Sequence, residues 1–336
     1  MNNNRKLGIA LVGLGNYATG QLAPAIQESN YCYLAAIVTG TPSKAEIWKS
    51  KYQIPEKNIY SYENFDTIKD NPDIDIVYIV LPNFLHAAYT IRAAKASKHV
   101  ICEKPMAMTI EECDKMIKAC KDAGKMLSIG YRLHFEPYNL EMARLGQQEI
   151  YGKINNMNAG FGFTTEDPNQ WRLKKALSGG GPLVDIGIYC IQAFCYTTGM
   201  LPIAVTAQEG NKIDKEKFKE VEAAISFQLV MPNGIICEGK ASYEQEMNYL
   251  IAETNKGIFK IDPAYNFSDL AGNTPEGQMN FTQVNQQANQ IDAFALSIKN
   301  NTETLVSGEM GKRDVTYIDA IYTAMHTGKR VEIKNV

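Results

Sequence analysis

The chain has no CxxC pair, no cluster of basic residues and no apolar run of the roughly 18 residues that a membrane-spanning helix needs. Each absence removes a class of function. The seven cysteines, at 32, 102, 113, 120, 190, 195 and 237, are odd in number and show no paired spacing. A disulfide framework is therefore not expected, and a reducing compartment fits better. The four histidines (86, 99, 134 and 326) stand in no metal-ligand spacing with cysteine or with one another, so no zinc site is expected. A net charge of −3 with scattered basic residues argues against a nucleic-acid partner, which requires a basic face, and against a polybasic membrane patch. The start, MNNNRKLGIALVGLG, loosely imitates a signal peptide. It lacks a small-residue cleavage site, and a cut there would destroy a glycine motif. A cytoplasmic protein is expected.

What is present points to two domains, because 336 residues exceed what one hydrophobic core usually accommodates. Up to residue 131, short apolar runs alternate with amphipathic stretches. Strands are expected within 7–15, 33–40, 75–83, 99–104 and 125–132. Between them lie helices such as FLHAAYTIRAAKAS and TIEECDKMIKACKDAG, the latter opening on a Thr109/Glu112 capping box. Such alternation predicts a doubly wound parallel sheet over residues 1–131. After Arg132 the texture changes. A helix and a glycine-rich strand precede several strands in direct succession, turned at Pro232-Asn233-Gly234 and Asn255-Lys256-Gly257. Residues 132–336 are expected to form an α+β domain with an open, mostly antiparallel sheet, the two C-terminal helices included.

Gly13-Leu14-Gly15-Asn16-Tyr17-Ala18 follows the first strand and fits GxGxxA, a variant of the dinucleotide fingerprint. Gly13 allows the tight turn, and Gly15 lets the backbone approach a pyrophosphate at the helix start. NAD sites usually place a carboxylate at the end of the second strand to hold the ribose 2′-hydroxyl. Here Val38-Thr39-Gly40-Thr41-Pro42-Ser43-Lys44 has none before Glu46. The Thr39 hydroxyl, the amides near Gly40 and Lys44 suit a 2′-phosphate, so NADP is expected rather than NAD; alternatively Lys44 only decorates the following helix. Ligands of open α/β sheets lie beyond the carboxyl ends of the strands. Leu81, Pro82, Asn83, His86, Glu103 and Lys104 should therefore border the nicotinamide. His86 reads equally well as a helix-capping or surface residue; Lys104 differs, because Pro105 restrains its backbone and the strand end aims it towards the cleft, with a solvated lysine as the lesser alternative.

The stretch SGGGPLVDIGIYCIQ (178–192) places Asp185 and Tyr189 four residues apart in an otherwise apolar helix. They share one face. The pair is either a satisfied buried couple or an acid–base device. GLGNYA, LPNFLH, CEKPMA, GYRLHFEP, WRL and GGGPLVDIGIY together resemble the glucose–fructose oxidoreductase, inositol dehydrogenase and MocA family over essentially the whole chain. DIGIY, where many members have His in place of Tyr189, and QWRLKKALSGGG are most similar to the glucose–fructose oxidoreductase branch and its aldose dehydrogenase relatives.

The resemblance implies a Rossmann domain, then an open-faced sheet domain through which homodimers or homotetramers form. It implies catalytic roles for Lys104, Asp185 and Tyr189, and a 2′-phosphate site at Thr39 and Lys44. It also places Arg132, Trp171 and Arg172 along cofactor and sugar. The implied function is NADP-dependent hydride transfer from C1 of a pyranose aldose, giving the lactone, with ketose reduction to the alditol as the returning half. Only six residues precede the first strand, whereas the namesake enzyme has an export leader and an N-terminal arm over its cofactor, so the resemblance does not by itself imply export, permanent cofactor retention or the coupled reaction that depends on it. Two alternatives stay open: an aldose 1-dehydrogenase releasing NADPH each cycle, and a non-catalytic regulator that binds NADP and sugar.

Hydroxyl oxidation needs a base for the O–H proton while hydride leaves carbon. Tyr189 is the expected base. Its ordinary pKa of about 10 is too high at neutrality, and correcting this needs roughly 4 kcal/mol of preferential stabilisation of the phenolate. A Lys104 ammonium would supply much of it. Asp185 beside the phenolate would oppose it, so Asp185 is expected to orient Lys104 and a sugar hydroxyl. Trp171 and Tyr131 are candidates to stack on the sugar, although Trp171 reads equally as a core residue. Tyr189→Phe is expected to nearly abolish turnover while leaving nucleotide affinity close to wild type, as steady-state kinetics and a binding titration would show.

Overall fold

Branched aliphatic runs make the first sheet. The structure, a computed structural model, describes residues 5–334. β1 (Leu7–Val12) is buried at every position, as a parallel strand covered on both faces must be. It is joined by β2 (Cys32–Val38), β3 (Ile59–Tyr60), β4 (Ile76–Ile79), β5 (His99–Cys102) and β6 (Leu127–Ile129). The order is β3-β2-β1-β4-β5-β6, parallel throughout. The strand order reverses between β1 and β4, which opens a crevice at their carboxyl ends. The capping box forms at the Ile110–Asp122 helix. Thr109 Oγ1 accepts from the Glu112 amide at 3.1 Å, and the Glu112 carboxylate accepts from the Met108 amide at 3.0 Å.

The second sheet is built from β7 (Ile154–Gly162), β8 (Ala204–Glu209), β9 (Ala224–Val230), β10 (Ile236–Ser242), β11 (Met247–Thr254), β12 (Gly257–Ile261), β13 (Gly272–Thr274), β14 (Gly277–Met279) and β15 (Val331–Glu332). Its order is β14-β13-β12-β11-β7-β10-β9-β8-β15, antiparallel except for the β7/β10 pair. Both expected hairpins form, with Gly234 at φ +88° and Gly257 at φ +128°, conformations that favour glycine. Along β9, Ile225, Phe227 and Leu229 are buried while Ser226 and Gln228 are exposed, the period of a sheet with one dry face. β3, β13, β14 and β15 have two or three residues each, too few to show a period in sequence.

The chain divides into two compact units, and their boundary differs from the one expected. The first comprises the chain up to Arg132 together with Asn285–Lys312; the second comprises Leu133–Val284 and the chain from Arg313 onward. The Gln286–Asn300 helix thus belongs to the first sheet. Ala288, Ile291, Phe294 and Ala295 pack in one core with Ile9, Leu22, Ile26 and Cys32. Asp292 on the same helix accepts from the amides of Asn30 at 3.0 Å and Tyr31 at 3.2 Å. Local periodicity reveals the apolar face of such a helix, but not which sheet it will cover. Phe294→Ala is expected to destabilise the first unit by about 3–5 kcal/mol, measured by urea unfolding.

Candidate active site

The glycine loop meets two different demands. Gly13 has φ +94°, and a Cβ there would come 2.4 Å from the Val80 carbonyl oxygen. At Gly15 a Cβ would meet nothing within 4 Å. Gly15 is therefore not a packing glycine; it leaves open space at the start of the helix beginning at Asn16, the approach a pyrophosphate requires. Lys44 reaches the same loop, with Nζ 3.4 Å from the Leu14 carbonyl. Thr39 is buried at the end of β2, and its hydroxyl accepts from the Thr41 amide at 3.2 Å. Tyr62, which no sequence signal marked, lays its ring against Gly40. These residues fit a dinucleotide, and the absence of a carboxylate at Thr39–Lys44 fits a 2′-phosphate.

His86, Glu103 and Tyr131, expected to line the nicotinamide or sugar, are all buried. His86 is fully buried, with Nδ1 2.8 Å from the Pro105 carbonyl and Nε2 2.8 Å from the Leu81 carbonyl. The ring lies between the loop after β4 and the loop after β5 with a carbonyl acceptor at each nitrogen; burial pushes its pKa down, and the neutral ring donates to one of the two. Glu103 is buried beneath the strand ends. It accepts from the Tyr78 hydroxyl at 2.8 Å, which in turn accepts from Gln290 Nε2 at 3.0 Å. A Cβ at Gly130 would fall 2.6 Å from the Glu103 carboxylate. Tyr131 is buried at 5% exposure, leaving little of its ring for stacking on a sugar. Arg132 is buried and donates to Gln286 Oε1. Asn83 and Leu81 are buried at the end of β4, and Lys104 follows β5 directly.

In the second unit, every residue from Gly180 to Cys195 is buried except Asp185 and Tyr189. The helix starts with a π turn, Leu183–Gly187, in which the Ile188 amide reaches the Leu183 carbonyl, and continues as an α-helix over Ile188–Thr198. Such widened turns recur at functional sites. Asp185 Oδ2 accepts from Arg172 Nε at 3.0 Å and from the Tyr243 hydroxyl at 2.9 Å. Burial and the neighbouring Asp185 charge hold the Tyr243 pKa well above its usual value, so it remains a donor. The Arg172 guanidinium also lies 4.7 Å from the centre of the Trp171 ring. Tyr189 meets Phe161 edge-on at 5.5 Å and Tyr265 at 5.9 Å between ring centres. Asp185, expected to orient Lys104, accepts from Arg172 and Tyr243. Tyr243 lies 58 residues from Asp185, beyond the reach of any local signal.

Among the described residues no group of three or more His, Cys, Asp or Glu side chains could hold a metal ion, and no helix is long and apolar enough to cross a membrane.

Desolvation pushes Glu103 from 4.5 to about 7, against the opposing pull of Tyr78 and Lys104. The folded state then holds this proton more tightly than the unfolded chain, so stability falls as pH rises through that interval. The cost is complete above about 7, on the order of 3 kcal/mol. Glu103→Gln is expected to flatten this part of the stability profile and to raise stability at pH 8, measured by urea unfolding across pH.

Residues 7–131 match the family described as "Oxidoreductase family, NAD-binding Rossmann fold", and residues 140–259 match the GFO/IDH/MocA C-terminal domain. The D-xylose 1-dehydrogenase [NADP(+)] of Haloarcula marismortui is 31% identical, with 96% of this chain and 92% of that protein covered. The D-glucoside 3-dehydrogenase of Escherichia coli is 26% identical over 97% of each. Among solved structures, the aldose-aldose oxidoreductase of Caulobacter crescentus, complexed with glycerol, superposes with a TM-score of 0.95 at 43% identity, covering 98% of this chain and 100% of that one. Likeness of this extent across both halves makes the chain a member of the GFO/IDH/MocA oxidoreductase family.

Proposed function

We propose that the protein oxidises an aldose at C1 with NADP, and that Tyr189 takes the hydroxyl proton. The observation that carries the reading is the stretch from Gly180 to Cys195, buried at every residue except Asp185 and Tyr189. Asp185 is held by Arg172 and Tyr243, both of which donate to it. The phenol is then the group suited to exchange a proton. Bound NADP would accept hydride from C1 of the sugar. The chain's own residues bind and orient: Gly13 and Gly15 with the helix start for the pyrophosphate, Thr39 and Lys44 for the 2′-phosphate, and Asp185 for a sugar hydroxyl. Trp171, half-buried beside Arg172, offers a ring face for a pyranose. Lys104 enters this reading from its place just beyond the carboxyl end of β5 and from the family resemblance.

The relatives named D-xylose 1-dehydrogenase [NADP(+)] and aldose-aldose oxidoreductase support oxidation of an aldose. The 43% likeness to the latter favours a second reading, in which the hydride returns to a second sugar. An aldose and ketose screen with NADP+ and NADPH separates the two, after bound nucleotide has been quantified. Steady growth of the nicotinamide absorbance with an aldose alone is expected for the dehydrogenase. Absorbance limited to one enzyme equivalent, with alditol formed, is expected for the coupled enzyme. Tight NADP binding with no turnover on any sugar overturns both and supports a regulator.

A further inference from the structure

The helix carrying Asp185 and Tyr189 starts inside the second unit, where its first amides cannot reach water. Such amides need acceptors. The usual acceptor is the side chain of the residue just before the helix, and here that position gives none: Pro182 makes no side-chain cap. A carboxylate from 39 residues further along takes its place. Glu222 Oε2 accepts from the Gly181 amide at 3.1 Å, and Oε1 accepts from the Leu183 amide at 3.1 Å. Pro182 between them has no N–H, so this segment presents two donors and the carboxylate has one oxygen for each. The Tyr322 hydroxyl donates a third bond to Oε1 at 2.8 Å. Glu222 is buried at 4% exposure, and all three partners are donors.

The glycines of GGGP belong to the same clamp. A Cβ at Gly181 would come 2.4 Å from the Glu222 carbonyl and 3.0 Å from its Oε2. At Gly180 it would come 2.0 Å from the Tyr322 hydroxyl. Close approach, more than hinge motion, explains them. The residue after Glu222 reaches the site by another route. The Ala223 carbonyl accepts from the Tyr243 amide at 2.8 Å, and the Tyr243 phenol holds Asp185. One dipeptide thus anchors both the start of the helix and the side chain that fixes Asp185.

We propose that Glu222 is a positioning residue for the proton-transfer pair, setting the placement of Asp185 and Tyr189 through the first turn of their helix. The proposal rests on the assignment of Tyr189 in the preceding subsection.

The test uses Glu222→Gln, which keeps the size of the side chain but turns one acceptor into a donor facing an amide. Turnover is followed with NADP+ and D-xylose or, failing that, the aldose that best supports NADP+ reduction in the screen. The expected result is a kcat lowered roughly tenfold or more, with NADP+ affinity unchanged and the rising limb of the kcat–pH profile displaced. Wild-type kcat and pH profile in the folded variant overturn the proposal. So does a loss of active molecules, counted by nucleotide binding, with the profile unmoved, because that is the mark of a merely structural role. If Glu222→Gln does not fold, Tyr322→Phe decides, since it leaves both amide bonds in place. A kcat lowered severalfold with the same displaced limb supports the proposal, and wild-type values in that variant overturn it. Tyr189→Phe is measured alongside. Turnover there sinks the Tyr189 assignment whatever Glu222 does, whereas a dead Tyr189→Phe beside a normal Glu222→Gln sinks only the positioning role.

Discussion

A helix that begins in a dry interior depends on whatever satisfies its first amides, and the Glu222 carboxylate meets that constraint here. An unsatisfied buried amide costs about 1–3 kcal/mol, and two lie at the entrance of this helix. The surroundings are shaped to admit the carboxylate. Gly180 and Gly181 keep the backbone bare, Pro182 contributes no amide of its own, and Tyr322 closes the remaining side. Only with that start fixed can the helix stay buried through most of its length to Cys195 and still hold a carboxylate and a phenol at set positions. Its far face is gripped as well: Gln192 donates to Asp314 and accepts from His134 Nε2 at 2.6 Å.

Much of this was legible in the residues. Runs of Ile, Val and Ala broken by amphipathic stretches specify a parallel sheet, and Gly13 sits where the turn needs positive φ. The two glycine hairpins and the capping box are local devices that announce themselves within four residues. Asp185 and Tyr189 were visible because their spacing is a helical spacing. What escaped notice has a common cause. Tyr243, Glu222, Tyr322 and Gln290 act through contacts across tens to hundreds of residues, and nothing near them in sequence records the partner.

His86 and Glu103 illustrate the other limit. Both stand beside strand ends that border ligands in open α/β sheets, so the motif places them correctly along the chain. Whether a side chain at such a position faces outward or inward is decided by its neighbours. For His86 two carbonyls flank the ring; for Glu103 a buried phenol and the bare Cα of Gly130 receive the carboxylate. Both side chains are buried.

The return of Asn285–Lys312 to the first unit has a consequence for how the protein is made. Domains generally fold in order of synthesis, N-terminal first. Here the N-terminal sheet cannot be completed in that order, because Ile291, Phe294 and Ala295 belong to its core and are translated after the whole second sheet apart from β15. Until they emerge, the surface awaiting them around Ile26 and Cys32 stays uncovered. A nascent chain of this protein therefore carries a sticky patch through most of its translation, and the two units reach completion almost together.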